Sequence, residues 1–315
     1  MAVTKFRVQS LKFIAKDPEW VVVAYLLFTL VLMAMWRQQL VNPADMLIGR
    51  ACWLTATLAA WGFYFWRPSR WTMLLRVTVQ LAFLSWWYPD TYELNRVLPN
   101  LDHHFASIEQ ALFGCQPALV FSQQVSWGWF SELMCLGYVS YFSLIVLVTL
   151  YYFFRRNDEF VKASSVIITS FFVYYVIFVL VPVTGPQFYY PAVGFDTIAA
   201  GVFPDLGNWF MTHDFRMAAP GWSDGFFYHL LDVTHDSGER PTAAFPSSHV
   251  GITTILFLLA LRTRCRWLSG TILFFLILMC FSTVYIFAHY LVDVIAGLVT
   301  GVLFYYAFKK VKSEK

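Results

Sequence analysis

Long runs of apolar residues, separated by short polar segments, dominate this chain. Eight runs approach the roughly 20 residues that an α-helix needs to cross a bilayer. The run at 71–88 differs from the others because Arg76 and Gln80 lie inside it. The pattern predicts an all-α, polytopic transmembrane helical bundle of about eight spans, near 19–36, 48–66, 71–88, 131–154, 164–182, 248–262, 268–287 and 289–308.

The composition supports a membrane protein. Hydrophobic residues make up 59% of the chain and charged residues only 13%, whereas an average soluble domain carries about 25% charge. The five cysteines are scattered, without the spacing of a metal site or a disulfide framework. We therefore expect an integral membrane protein without a metal or cofactor, and without a nucleic-acid partner.

The positive charges predict the orientation in the membrane. Sixteen of the 22 Lys and Arg residues fall on one side of the predicted spans, and only five on the other. Because short cytoplasmic connections are enriched in Lys and Arg, the N- and C-termini are expected in the cytoplasm. The cytoplasmic set is Lys5, Arg7, Lys12, Lys16, Arg67, Arg70, Arg155, Arg156, Lys162, Arg262, Arg264, Arg266, Lys309, Lys310, Lys312 and Lys315; the outer set is Arg37, Arg50, Arg96, Arg216 and Arg240.

Two long outer connections, at about 89–130 and 183–246, are rich in aromatic residues and proline. Residues 105–113 have the pattern of a short helix that lies in the membrane interface. The density of aromatic side chains in the second connection suits a cap at the depth of the lipid headgroups. It fits an aromatic belt without a gating role equally well.

Two short motifs carry the candidate chemistry: Pro246-Ser247-Ser248-His249, and Ser282 to Asp293 with His289 between them. Each histidine is expected at the outer start of a helix. On a helix His289 and Asp293 share one face, so the carboxylate can bond one ring nitrogen and leave the other as a nucleophile. His249 is placed to protonate a leaving group. Together they suggest phosphoryl transfer through a phosphohistidine. Taken alone, the first motif also fits an ordinary serine-capped helix start, and His289 with Asp293 also fits a structural pair at a helix start.

These motifs resemble the second and third signatures of the type-2 phosphatidic acid phosphatase superfamily, P-S-G-H and S-R-x5-H-x3-D. Ser248 stands in place of the glycine and Thr283 in place of the arginine. The first signature, K-x6-R-P, is missing, since no lysine stands at the required distance before Arg240-Pro241. The chain therefore lacks the basic clamp that family phosphatases close around the phosphoryl oxygens.

The resemblance implies a role for each matching residue. His289 would be the nucleophile, Asp293 would orient it and compensate its charge, and His249 would be the acid and base. The residues implied or available for phosphate binding are Ser247, Ser248, Arg240 and Ser282. Arg216 is a weaker candidate than Arg240 for such a contact.

A histidine-histidine-aspartate triad without the full clamp resembles one branch, that of the inositol phosphorylceramide synthases and sphingomyelin synthases. His289-Tyr290-Leu291-Val292-Asp293 follows the pattern of this branch, and Val183 to Tyr189 is loosely similar to its first signature. The resemblance implies a lipid phosphotransferase that moves a phosphoinositol-type head group from a phospholipid to a ceramide-like lipid alcohol. It also implies a six-helix catalytic core within residues 131–315, preceded by N-terminal membrane helices and an outer interfacial segment in residues 1–130.

Other functions stay open at this point. With water as acceptor, the same triad would make a lipid phosphatase acting on a phospholipid or a polyprenyl phosphate. A membrane transporter or scaffold without enzymatic activity is the second alternative. Asp102-His103-His104 is a weak metal candidate, because adjacent histidines point in different directions on a helix. Glu132 fits a polar lining residue or a charge at a helix N-terminus. The partners expected are membrane lipids, and the oligomeric state is open.

Overall fold

The computed structural model describes residues 18–309; both terminal segments that the charge pattern assigns to the cytoplasm lie outside this range. The all-α prediction is confirmed, because residues 18–309 contain helices and no strand. The helices are α1 Glu19–Met35, α2 Pro43–Trp66, α3 Arg70–Ala82, α4 Leu84–Asn95, α5 Asp102–Phe113, α6 Pro117–Gln124, α7 Gly128–Val139, α8 Tyr141–Arg155, α9 Asn157–Leu180, α10 Pro186–Val193, α11 Phe195–Ala199, the 3-10 helix Trp209–Met211, α12 Phe226–Gly238, α13 Ser248–Thr263, α14 Arg266–Tyr285 and α15 Leu291–Lys309.

Helices occupy all eight predicted segments, but not all of them are complete spans. Within the described residues, α2, α9, α14 and α15 are long and apolar enough to cross a membrane, and the bent pair α7–α8 adds a fifth candidate. α1 and α13 are apolar but shorter, with 17 and 16 residues. By length and composition the structure thus supports four or five spans, fewer than the eight predicted.

Two predicted spans are broken helices. The segment at 71–88 divides at Phe83 into α3 and α4, and the segment at 131–154 bends by 47° between α7 and α8. At the second break the Ser140 hydroxyl donates to the Gly137 carbonyl at 2.7 Å. A serine that bonds back to the preceding turn bends a helix. This bend places the start of α8 beside the start of α13.

The polar residues of the N-terminal helices are paired inside the bundle. Arg76 forms a buried ion pair with Glu19 at 2.9 Å, and Arg50 forms one with Asp90 at 2.8 Å. The Gln80 side chain accepts from the Trp53 indole at 2.9 Å. Because unpaired polar groups are costly inside a bilayer, these partners explain how the segment at 71–88 tolerates Arg76 and Gln80.

Helices α13 and α15 pack at the centre of the second half of the chain. Gly297 and Gly301 of α15, four residues apart, let the backbones of the two helices come close. A Cβ at Gly297 would lie 2.6 Å from the Ser247 carbonyl oxygen, and one at Gly301 would lie 2.5 Å from that of Gly251. Small residues at this spacing are a common means of close helix packing in membranes. The contact brings the N-terminal ends of α13 and α15 together.

Candidate active site

The two motif histidines meet at the ends of α13 and α15. His249 is the second residue of α13, whereas His289 lies in the connection before α15, two residues ahead of Leu291. His289 Nε2 lies 3.5 Å from His249 Nδ1, and the ring centroids are 5.7 Å apart. Two residues that are 40 positions apart in sequence therefore face each other at one end of the bundle.

A backbone carbonyl orients the His289 ring. His289 Nδ1 lies 2.7 Å from the carbonyl oxygen of Ala244. Because a carbonyl only accepts hydrogen bonds, Nδ1 carries the proton and the neutral ring keeps a lone pair on Nε2, the atom that faces His249. Burial lowers the pKa of His289 to about 4, against the opposing influence of the Ala244 carbonyl and Glu239. The ring is therefore neutral near pH 7.

Asp293 does not hydrogen bond to His289. Its Oδ2 lies 3.8 Å from His289 Nδ1 and instead accepts from the backbone N–H of Tyr290 at 2.9 Å. The predicted bond between residues four apart needs both on one helix, and His289 precedes the helix. Asp293 thus caps α15, and its buried carboxyl group lies beside the His289 ring.

Two tyrosines enclose the His249 ring. The Tyr138 ring stacks on it at 4.5 Å and the Tyr141 ring lies on it at 4.4 Å. These residues flank Ser140, so the bend between α7 and α8 supplies both walls. The arrangement fixes the plane of the imidazole and leaves its edge directed at His289.

A small pocket joins the two histidines, with room for about one water molecule. No lysine or arginine is among its lining residues in the part of the chain that the structure describes, and Glu239 is its acidic residue. The lining consists of Tyr88, Tyr138, Glu239, Thr242, Ala243, Ala244, Ser248, His249, Ala288 and His289.

The predicted phosphate-binding residues do not all reach this pocket. Ser248 lines it. Ser247 is buried behind it, where its hydroxyl accepts from the Val250 N–H and caps α13. Arg240 donates to the Glu239 backbone carbonyl at 3.0 Å and is not part of the lining.

Ser282 is part of a helix contact. Its hydroxyl donates to the Leu278 carbonyl at 2.7 Å, and its side chain fills the space beside Gly137 on α7. It is fully buried and is not part of the pocket lining. The structure therefore brings His249, His289, Asp293 and Ser248 together, and does not bring Ser282 to the pocket.

Glu239 is a pocket residue that the sequence interpretation missed. It accepts from the Tyr88 hydroxyl at 3.3 Å and from the Gln187 amide at 3.0 Å. Burial raises the pKa of its carboxyl, while His289 and Arg216 act in the opposite direction. The sequence signal for Glu239 was its position: it directly precedes Arg240-Pro241, in the connection that leads to His249.

Asp102 holds the loops that carry the site. Its carboxylate accepts from the Thr184 N–H at 2.7 Å, the Gly185 N–H at 2.9 Å and the Tyr290 hydroxyl at 3.0 Å. The residue weighed in the sequence as a metal ligand thus ties the segment after α9 to the residue that follows His289. Within residues 18–309 no group of three or more His, Cys, Asp or Glu side chains is placed to hold a metal ion.

Two further acids support the same region. Glu109 accepts from the Val292 N–H at 3.1 Å and so contributes to the start of α15. Burial raises its pKa to about 8. Glu132 accepts from the N–H groups of Phe227 and Tyr228 at 2.9 and 2.8 Å and caps α12 from a neighbouring helix. Glu132 therefore lies at a helix N-terminus, but the helix is α12 and not α7, which contains Glu132.

The backbone is strained in both connections that meet at the His289 ring. Ala243 and Phe287 have φ values of +66° and +67°, which are unfavourable for residues with a Cβ. Ala243 directly precedes the carbonyl that orients His289, and Phe287 lies two residues before His289. Such strain persists only where surrounding contacts over-determine the conformation.

Comparison with known proteins gives one family. A family model described as the PAP2 superfamily matches residues 103–307. No curated protein and no solved structure matches the chain. The match begins within α5, at residue 103, and so includes Glu109, which contacts the start of α15. The division of the chain at residues 130 and 131 stays a prediction.

Proposed function

Because the chain belongs to the PAP2 superfamily, which points to phosphatase or phosphotransferase chemistry on lipid-like substrates, we propose that it is an integral membrane lipid phosphotransferase with His289 as its nucleophile. One observation carries the proposal. The Ala244 carbonyl fixes the proton on Nδ1, so the Nε2 lone pair is directed at the pocket and at His249.

The first half of the reaction breaks a P–O bond of a phospholipid. His289 Nε2 attacks phosphorus and forms a P–N bond, and the electron pair of the P–O bond leaves with the diacylglycerol oxygen. His249 gives its proton to that oxygen. The product is a phosphohistidine whose positive ring lies beside Asp293.

The second half regenerates the histidine. The hydroxyl of a lipid alcohol occupies the position that the leaving oxygen vacated, and His249 takes its proton. The alcohol oxygen then forms a bond to phosphorus as the P–N bond breaks, and the electron pair returns to His289 Nε2. Both halves use the same pair of rings, with His249 changing from acid to base.

The electrostatics of the pocket favour a phosphodiester over a phosphomonoester. A monoester carries close to two negative charges, a diester carries one, and the lining contains the acidic residue Glu239. Without a lysine or arginine in that lining, a dianion would be bound poorly. The resemblance to the inositol phosphorylceramide synthases supports a phosphoinositol head group as the group transferred and a ceramide-like acceptor.

The small volume requires a change on binding. A phosphoryl group is larger than the space between the rings, which are in contact at 3.5 Å. Phosphorus must therefore displace the His249–His289 contact, and the capping connection at 183–246 must give way.

A transfer assay tests this proposal. Purified protein in lipid nanodiscs would receive phosphatidylinositol labelled at its phosphate, with or without ceramide. We expect a labelled phosphosphingolipid only when ceramide is present, and no product from His289→Ala. Labelled inositol phosphate formed without regard to ceramide would instead identify a hydrolase. Full transfer by His289→Ala would contradict the assigned nucleophile.

A second assay separates the roles of the two histidines. A diester with a nitrophenyl leaving group needs no acid for its departure. With this substrate His249→Ala should release one equivalent of nitrophenol in a burst and then stall, because the second half-reaction lacks its base. Steady turnover by His249→Ala at the parent rate would remove His249 from the mechanism.

A further inference from the structure

A histidine and an arginine outside the two motifs form a polar pair beside the pocket. Arg216, in the connection before α12, places Nη1 2.8 Å from Nδ1 of His235, in the last turn of α12. A guanidinium group only donates hydrogen bonds, so His235 Nδ1 accepts and the ring carries its proton on Nε2. The tautomer of His235 is therefore defined, and its Nε2–H forms the donor edge of the ring.

That donor edge has no partner. His235 is 2% exposed, and its Nε2 finds no hydrogen-bond partner among residues 18–309. A buried donor without an acceptor is unfavourable. Burial, assisted by Arg216, lowers the pKa of His235 to about 3. The ring thus stays neutral and keeps an N–H that is available to an acceptor.

The pair adjoins the reacting histidines on two sides. The His235 ring lies edge-on to the Tyr138 ring at 5.4 Å, and the Tyr138 ring also stacks on the His249 ring. On the other side, the Met217 N–H donates to the Gln187 carbonyl at 2.9 Å, and the Gln187 amide donates to Glu239 of the pocket lining. Arg216 is also close enough to Glu239 to act on its charge.

The existing contacts of Arg216 are exchangeable. Its Nη2 lies 3.7 Å from Asp232 and 3.5 Å from Asp236, whose side chains are 42% and 80% exposed. Ion pairs with solvated carboxylates contribute little stability. The guanidinium can therefore leave these two carboxylates for a buried phosphate without a large loss.

Given the proposed function, on which this inference rests, we propose that Arg216 and the His235 N–H bind the non-bridging oxygens of the phosphodiester during transfer. One cation and one neutral donor match the single negative charge of a diester. The pair would take the place of the basic clamp that the motifs lack, and would select diesters over monoesters.

Equilibrium binding tests the proposal without turnover. In a His289→Ala background, affinity for a short-chain phosphatidylinositol would be measured by isothermal titration calorimetry in detergent. Arg216→Gln should weaken binding roughly 10- to 100-fold, as expected for a lost charge-assisted contact. Arg37→Gln, the same change at an exposed outer arginine, should leave the affinity unchanged.

Variants at His235 add a second readout. His235→Phe removes the donor and should raise KM for the diester, whereas His235→Gln, which keeps an N–H near the Nε2 position, should restore most of the affinity. Arg216→Lys keeps the charge and should bind more tightly than Arg216→Gln. If the two residues had only a structural role, the conservative variants His235→Gln and Arg216→Lys would not retain affinity selectively. Thermal unfolding of each variant checks that it folds.

The outcomes distinguish this proposal from the function beneath it. Unchanged diester affinity in folded Arg216→Gln and His235→Phe, with His289→Ala still inactive, would overturn the Arg216–His235 site alone. A loss confined to Arg240→Gln would assign the phosphate contact to that arginine and would also overturn it. Transfer that survives His289→Ala would instead remove the proposed function.

Discussion

At the scale of single residues, the central feature is that backbone, not a carboxylate, orients His289. The Ala244 carbonyl is part of the connection that leads directly to His249. The same short segment therefore sets the tautomer of the proposed nucleophile, His289, and the position of the proposed acid, His249. Asp293 caps α15 and lies slightly farther from the His289 ring than the Ala244 carbonyl does.

The depressed pKa of His289 predicts an unusual pH profile. The nucleophile must be neutral, and its pKa is about 4 instead of about 6.5. The fraction of neutral His289 therefore rises as pH increases through about 4 and is complete above about 5. For a nitrophenyl diester, kcat/KM should show its acidic limb near pH 4.

Glu239 and His249 face His289 and also titrate, so a control must show which of the three groups causes the acidic limb of the pH profile. We expect it to persist in Glu239→Gln, because the substitution removes only an opposing influence on His289. An acidic limb near pH 6.5 in both proteins would show that His289 is not held in a desolvated pocket.

Substitutions of Asp293 can separate its role as the cap of α15 from the proposed role of its charge beside His289. Asp293→Asn keeps an oxygen for the Tyr290 N–H but loses the charge beside His289, so we expect kcat to fall roughly 10- to 100-fold with little loss of stability. Asp293→Ala loses the cap as well and should also lower the unfolding temperature. Equal inactivity and equal destabilisation of both variants would argue against this division of roles.

At the scale of elements, the approach of α13 and α15 creates the site. Gly297 and Gly301 face Ser247 and Gly251 at distances that leave no room for a side chain. The histidines follow from this contact, because His249 opens one helix and His289 immediately precedes the other. The G-x-x-x-G spacing was visible in the sequence, but its partner helix was not.

Matched glycine substitutions test the contact. Gly301→Ala forces a Cβ against the Gly251 carbonyl, and overpacking of this kind costs about 1–3 kcal/mol. Gly270→Ala, in α14, meets nothing within 4 Å and should be neutral or stabilising, since alanine favours a helix. The two unfolding temperatures, measured in detergent, should shift in opposite directions or only for Gly301→Ala. Equal shifts would contradict the packing argument.

Hydrophobic runs predicted where the long helices lie, because apolar length alone decides that a segment can be buried in a bilayer. They did not predict the breaks at Phe83 and Ser140, which depend on local contacts such as the bond from Ser140 to Gly137. The connection at 183–246 also contains α10, α11 and α12. Proline and glycine are typical of loops, but here they lie at the ends of these short helices: Pro186 begins α10, Gly194 separates α10 from α11, and Gly225 precedes α12.

At the scale of the whole molecule, the two ends of the bundle have different characters. The end with His249 and His289 is built from interlocked connections, among them Gln187 N–H to the Phe287 carbonyl and Ala244 N–H to that of Val183. At the opposite end, Arg262 and Arg156 are paired to Glu159. The charge pattern predicts that the first end faces away from the cytoplasm.

Cysteine labelling in intact cells tests this orientation. In a variant with the five native cysteines replaced by serine, a membrane-impermeant maleimide should label Asp224→Cys, near the start of α12. It should label Arg264→Cys, at the turn after α13, only after the membrane is opened. The reverse pattern would place the pocket on the cytoplasmic side.

The candidate site was predictable only in part. The spacing of the motifs predicted that His249 and His289 belong together, and the structure places them in contact. The roles of Ser282 and Asp293 could not be read from spacing, because one depends on which helix face meets Gly137 and the other on where α15 begins. Glu239, His235 and Arg216 belong to no motif and are assembled only by the folded connection.

Phosphoryl trapping on the protein is the sharpest test of His289 as the nucleophile. His249→Ala protein would be mixed with the nitrophenyl diester, quenched with base to preserve a P–N bond, digested and mapped by mass spectrometry. We expect a phosphoryl adduct on His289 in near-stoichiometric amount, and none in the His249→Ala, His289→Ala double variant. An adduct on any other residue, or an unlabelled His289 in protein that still releases the burst, would show that His289 is not the nucleophile.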